Sequence, residues 1–211
     1  MSKLNCYLVS NIFMIEPKKF NDSIFTMRGI SKKTVENHLK LYQGYVNKYN
    51  EITEKIKNLT DDDYTKANQV FSTIRSLKTE LSFAWGGVIN HELYFNHLGG
   101  NGGTASGNLL QQIEKDFGSF ESYKKDTKAS SIAARGWVWT VWNVREQKLM
   151  NHIGDSQNTY ALWETTPIVA LDTYEHAYFA DYGVNRGQYV EAFFENMDWS
   201  IVEKMFSKLR K

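Results

Sequence analysis

The chain of 211 residues is poor in cysteine, in net charge and in long apolar runs, and each shortage removes a class of function. A single cysteine, Cys6, permits no intrachain disulfide and no thiolate metal cage, so any metal must be held by histidine and carboxylate. Lys and Arg number 25 against 24 Asp and Glu, a net charge of +1 that gives no general attraction to nucleic acid or to an anionic membrane. Local charge can still steer a small anion. No apolar run approaches the roughly eighteen residues that a membrane-spanning helix needs. The opening stretch MSKLNCYLVSNIFM, residues 1–14, is broken by Asn and Ser and has no clear cleavage site, so it reads as an N-terminal arm rather than a targeting segment. Internal repeats and low-complexity tracts are missing too. What remains is 42% hydrophobic and 14% aromatic, enough to bury a large core.

From Ser31, a natural cap, Val35, His38, Leu39, Tyr42, Val46 and Tyr49 recur at spacings of three and four, which predicts a long helix with one apolar and aromatic stripe. After the polar break NLTDDDYTKA, a second helical region over roughly 64–97 closes a helical hairpin. GGNGGTASG, 99–107, carries five glycines and no large apolar residue, the composition of a boundary. Beyond it, two helices broken at Gly118 and Ser119 precede a change of period. GWVWTVWNV, KLMNHIGDS and PIVALD read as three strands, and the tail from Tyr174 returns to helices, including two short ones after Arg186. The fold class is therefore α+β: an arm and hairpin domain over 1–98, a linker at about 99–103, and over 104–211 a C-terminal domain with a three-stranded antiparallel sheet.

Four histidines accompany His38: His91, His97, His152 and His176. DTYEH sets Asp172 and His176 four residues apart just past a strand, where a held backbone can project two ligands beyond the sheet edge. His91 lies in an aromatic and glycine-rich helix segment. Three imidazoles and a carboxylate without cysteine suit iron or manganese, and could also suit zinc. Spacing alone does not bring residues 38, 91, 172 and 176 together, and a lone histidine on a helix is most often a hydrogen-bonded packing residue.

Taken together, GGVINHELYF, GWVWTVWN and LDTYEHAYFADYGVNRGQY resemble the iron and manganese superoxide dismutase family, in that family's order, from about residue 31 to the end. The resemblance implies a homodimer that converts superoxide to oxygen and hydrogen peroxide by alternating M(III)/M(II) redox at one ion per subunit. It implies His38, His91, Asp172 and His176 as ligands. Gln157 falls where manganese-type members place a glutamine that hydrogen-bonds the metal's solvent, and Gly86 at the helix position from which many iron-type members supply theirs. That favours manganese, with use of either metal allowed. Tyr45 resembles the funnel tyrosine, Trp137 and Trp139 the tryptophans that wall the site, and Arg186 an arginine near the channel. Glu175 resembles a glutamate that hydrogen-bonds the partner subunit's ligand histidine.

Departures from the family pattern are specific. The usual first-helix histidine stands eight residues before the tyrosine, a spacing that needs a π-bulge to keep both on one face; His38 and Tyr45 are seven apart and need none. His38 is thus read as the ligand in preference to Asn37, which an ungapped alignment would select. Tyr42 stands where the family often has His, expected here to close the funnel wall, Phe179 where it has Tyr, and Tyr174 where many relatives have Trp. His97 and His152 match no ligand and read as surface or packing residues. The family reading implies a cytoplasmic protein, mitochondrial in a eukaryote, with no nucleic-acid or membrane partner. The rival readings are an inactive structural protein built on the same fold, and another mononuclear iron or manganese enzyme with a wider channel.

Overall fold

The computed structural model describes residues 14–158 and 162–209. The expected N-terminal arm, Cys6 included, lies outside the described residues except for Met14.

Helix α1 (Lys32–Lys57) begins where Ser31 accepts the Thr34 amide and ends on Lys55 and Lys57, cations suited to the negative end of the helix. Of the expected stripe Val35, His38, Tyr42 and Val46 are buried and Leu39 and Tyr49 half-buried, and Thr34 and Ile52 extend the buried face. The expected second helical region proves to be two helices. Thr60 and Asp63 form a capping box that starts α2 (Asp61–Thr65). The Asn68 side chain then accepts the Val70 and Phe71 amides, a local turn that competes with helix continuation. Only at Ser72, which caps α3 (Thr73–Asn96), does the return helix begin. α1 and α3 pack along their length as the two arms of the hairpin.

The glycine-rich segment after α3 packs tightly. Gly100 and Gly102 donate their amides to the Asn196 and Met197 carbonyls, and a Cβ on Gly100 would stand 2.5 Å from the Met197 oxygen. Helices α4 (Gly107–Phe117) and α5 (Phe120–Ala133) follow, separated by Gly118 at φ 85° and by Ser119, which caps α5. Strands β1 (Trp137–Asn143), β2 (Lys148–Gly154) and β3 (Thr165–Asp172) form an antiparallel sheet in the order β2-β1-β3. β3 starts two residues before the expected PIVALD. It tolerates Pro167 because it is an edge strand, bulged where the register shifts opposite Thr140 and Val141. A 3-10 turn at Glu175–Ala177, α6 (Phe179–Tyr182), α7 (Arg186–Glu195) and α8 (Trp199–Leu209) complete the chain; the two short helices expected in the tail are α7 and α8.

α4 and α5 pack on β2, α5 also on β1, and α3 and α8 on β3. The core is unusually aromatic at the junction of hairpin and sheet, where Trp137, Trp139, Tyr94, Phe95, Tyr189 and Phe193 are fully buried, while Trp142 packs on Phe206 of α8. Among the described residues no helix is long and apolar enough to cross a membrane.

Candidate metal centre

Four side chains from four elements converge at that junction. His38 comes from α1, His91 from α3, Asp172 from the end of β3 and His176 from the 3-10 turn, and their ligand atoms all lie within 4.8 Å of one another. The carboxylate oxygen Oδ2 of Asp172 is the hub: His38 Nε2 and His176 Nε2 each stand 3.1 Å from it, and His91 Nε2 3.6 Å. Oδ1 is occupied by the Tyr174 amide at 2.9 Å, so the turn after β3 orients the carboxylate and leaves Oδ2 to the histidines. His38, His91 and Asp172 are buried, while the His176 side chain keeps 27% of its exposure and marks the open side.

The register of α1 is decided by burial. His38 is 2% exposed and Asn37 is exposed, on a helix with no π-turn, so the seven-residue spacing to Tyr45 places an imidazole at the cluster and the asparagine in solvent.

His91 supplies the test of fit for a metal. Its Nδ1 pairs with the Gly87 carbonyl at 2.6 Å, which fixes the proton on Nδ1 and turns the Nε2 lone pair toward Asp172. That Nε2 is a buried atom with no hydrogen-bond partner. Such an orphan is costly in a protein-only cluster and is what a cation would satisfy. A donor set of three imidazoles and one carboxylate fits iron or manganese.

Electrostatics agree with the geometry. Burial opposes the charge on Asp172, yet the His176 charge and the hydrogen bonds from His176 and His38 hold its carboxyl far below the usual range. Burial depresses His91 to about 3, with the His38 charge acting in the same sense, and burial also lowers His38. His176 goes the other way: burial works against its charge, but the Asp172 charge and hydrogen bond outweigh it. Burial thus favours neutral His38 and His91, while Asp172 favours a proton on His176, so a cation entering the cluster would displace the ring protons shared with Asp172.

Around the cluster runs a directed hydrogen-bond chain. The Trp139 indole donates to Asn90 Oδ1 at 3.2 Å, and the Asn90 amide donates to the Gln157 carbonyl at 3.2 Å. Trp137 Nε1 donates to Gln157 Oε1 at 3.0 Å. An indole can only donate, so it holds the Gln157 amide with Nε2 facing Tyr45, whose hydroxyl accepts at 3.3 Å. Trp137 lies edge-on to His91 at 5.2 Å and stacks on Trp139 at 6.4 Å. Tyr174 stacks on His176 at 5.3 Å, and its hydroxyl is pushed up to about 12, by burial first and then by the Asp172 charge.

Other expected residues sit elsewhere or carry added roles. The Tyr42 ring lies 6.4 Å from His91, and its hydroxyl accepts the Lys18 amide and donates to Glu92, so it also fastens the segment before α1. Arg186 donates to the Ser131 and Ala134 carbonyls and to Tyr178, which makes it a clamp between α5 and α7. Glu175 and Phe179 are exposed beside the open edge. Gly86 and Gly87 lie against Gln157 and Tyr45. A Cβ on Gly86 would meet the Gln157 carbonyl at 1.9 Å, and one on Gly87 the Tyr45 ring at 2.4 Å. His97 is fully buried, and His152 stacks on Trp139. Sequence reasoning missed Asn90, because its partners come from β1 and from the loop after β2; its only local signal is adjacency to His91.

The fold and this site define a two-domain α+β protein with a buried three-histidine, one-aspartate donor cluster suited to a single redox metal. The family description "Iron/manganese superoxide dismutases, alpha-hairpin domain" matches residues 28–99, and its companion "Iron/manganese superoxide dismutases, C-terminal domain" matches residues 105–205. The chain belongs to the iron/manganese superoxide dismutase family. It is 41% identical to the "Superoxide dismutase [Fe]" of Aquifex aeolicus over 88% of both chains. It is 40% identical to the "Superoxide dismutase [Fe]" of Aquifex pyrophilus over the same shares. Its identity to "Superoxide dismutase [Mn] 2" of Haloferax volcanii is 35%, over 77% of this chain and 79% of that one. Relatives named for either metal thus match, and they give manganese no preference over iron.

Proposed function

We propose that this chain dismutates superoxide to oxygen and hydrogen peroxide with one iron or manganese ion held by His38, His91, Asp172 and His176. The observation that carries the reading is the unpaired, buried Nε2 of His91 within a four-donor cluster no wider than 4.8 Å. The ion, when bound, supplies the one-electron exchange on which dismutation depends. The chain's residues handle the proton and the substrate. Gln157 donates to the Tyr45 oxygen, so the phenol keeps its own proton for release toward the nascent peroxide. Burial, and after it the Asp172 charge, raises the Tyr45 pKa, which keeps that proton in place until it is needed. Trp137, Trp139 and Tyr174 exclude bulk water around the donors, and Arg186 adds positive charge for steering a small anion.

Exposed Glu175 and Phe179 next to half-open His176 support a homodimer in which a second copy covers this edge. An inactive scaffold would be expected to lose donors, and the intact set of four argues against that reading. For the metal, Gln157 argues for manganese and the iron-named relatives for iron, so loading decides.

The test is metal content and superoxide consumption for protein loaded separately with manganese and iron, in wild type, His38→Ala and Asn37→Ala. About one ion per chain, activity with at least one metal, and loss of both in His38→Ala alone are the expected results. Absent metal binding and activity in the wild type would return the chain to the scaffold reading.

A further inference from the structure

We infer that His97, outside the donor cluster, is the strut that sets the spacing between His91 and Asp172. It would be a positioning residue for the metal site, and the inference rests on the metal-binding reading above.

His97 caps the C-terminus of α3, the helix that carries His91, and is 0% exposed. Its Nε2 accepts the Ala170 amide at 3.0 Å, on β3 two residues before Asp172. On the opposite side of β3, strand β1 pairs Trp139 with Ala170 and Trp137 with Asp172. Ala170 is therefore gripped between the strand that walls the site and the helix that carries a ligand. β3 is an edge strand, and a buried edge amide must find an acceptor. Here the acceptor is an imidazole from the hairpin. The His97 carbonyl also accepts the Asp198 amide at 2.8 Å, and its ring packs edge-on to Phe193 at 5.7 Å. One residue thus ties α3, β3 and the segment leading into α8.

The choice of histidine is informative. With Nε2 as acceptor the proton sits on Nδ1, which has no hydrogen-bond partner. An aliphatic side chain would avoid the stranded Nδ1–H but would leave the buried Ala170 amide without its acceptor, so the imidazole is explained by its bond to Ala170. Burial lowers the His97 pKa to about 3, and the ring stays neutral and able to accept at ordinary pH. Slippage of β3 past α3 would change the His91–Asp172 approach, at 3.6 Å the longest of the three to that oxygen. It would leave His176 and Asp172, close together in sequence, nearly unaltered.

The experiment compares wild type, His97→Leu and His97→Gln, whose amide oxygen can replace the lost acceptor. Affinity for iron and manganese is measured by chelator competition, and the electron paramagnetic resonance spectrum of each loaded protein is recorded. His97→Leu is expected to bind about 10- to 100-fold more weakly, with a shifted spectrum, and His97→Gln to recover both. Wild-type affinity and an unshifted spectrum in His97→Leu, even with a lower melting temperature, would make His97 merely structural and overturn the inference. Nitrogen-15 NMR of metal-free wild type needs no variant to fold: the Nδ1–H tautomer of His97 is expected, and the Nε2–H tautomer would overturn the strut. Wild type that binds neither ion refutes both the metal site and this inference; wild-type binding with an indifferent His97→Leu refutes this inference alone.

Discussion

Gln157 Nε2 stands 3.3 Å from the Tyr45 hydroxyl although 112 residues separate the two, and the Trp137 indole fixes which end of the amide faces the phenol. The pair joins the loop after β2 to α1 directly beside the donor cluster. Replacing Gln157 by Leu removes its side-chain hydrogen bonds with Trp137, Tyr45 and, at 3.5 Å, Asn90, and strands a buried indole N–H. The unpaired donor should cost about 1–3 kcal/mol, read as a melting temperature lower by roughly 2–10 °C. Superoxide consumption should fall ~10- to 100-fold at unchanged metal content. Wild-type turnover by a fully loaded Gln157→Leu protein would take Gln157 out of proton handling.

Tyr42→Phe separates the strap role from a funnel role. The Tyr42 hydroxyl joins the Lys18 amide to Glu92, and Lys18 pairs with Glu92 in turn. Its loss should lower stability by about 1–2 kcal/mol in chemical denaturation, with superoxide consumption within twofold of wild type. A tenfold loss of turnover without loss of metal would put Tyr42 back in the funnel wall.

The legible parts of this molecule were those with a local period. The stripe on α1 specified His38 over Asn37, and the alternation in GWVWTVWN specified β1, because burial of one face imposes both patterns. DTYEH was legible as a ligand pair since strand end and turn are adjacent in sequence. What failed depended on partners distant in the chain. The Tyr42 stripe position said that the ring is buried, but the hydroxyl's direction is set by Lys18 and Glu92. Asn90 needed Trp139, and the break at 66–72 needed the turn chemistry of Asn68 to outrank a helical pattern. The roles assigned to Gln157 and Tyr45 came from family resemblance alone, as no periodicity connects α1 to the loop after β2.

Acid should destabilise the metal-free protein well above the carboxylate range. His91 and His97, both depressed to about 3 by burial, stay neutral when folded, while unfolded they titrate near the usual value of about 6.5. Below that value the unfolded state binds the extra protons, so each histidine removes up to ~1.4 kcal/mol per pH unit as pH falls toward 3. Asp172, with its folded pKa lowered, adds stability that is present above the unfolded carboxyl pKa and lost as pH falls through the folded one. His176 has the opposite sign: its raised pKa gives stability fully present below 6.5 and lost as pH rises through the folded value, so it acts only above about 6.5 and leaves the acid-side slope unchanged. Urea midpoints should change little between pH 7.5 and 6.5 and then decline with increasing steepness through pH 6, 5 and 4. A flat profile over that range would contradict the neutral, buried assignment of these rings.

Two glycines near Tyr45 should respond to alanine in opposite directions. Gly44, on the exposed side of α1, has nothing within 4 Å of a built Cβ, and its backbone is helical. Gly44→Ala should therefore stabilise by roughly 0.5–1 kcal/mol through helix propensity and a less flexible unfolded chain. The same propensity gain is available at Gly87 on α3, but there a Cβ would lie 2.4–2.8 Å from three atoms of the Tyr45 ring. The ring cannot yield freely, because His91 lies 5.3 Å from it and Phe83 6.0 Å, and Gln157 holds its hydroxyl. Overpacking of this kind costs about 1–3 kcal/mol, so Gly87→Ala should be net destabilising and should displace Tyr45 from Gln157. Thermal melts of the two variants, with the pH profile of superoxide consumption as the second readout, check the contrast. Only Gly87→Ala should shift the profile, since only there does the phenol lose its donor. Equal melting shifts for both variants would mean that Tyr45 is free to move.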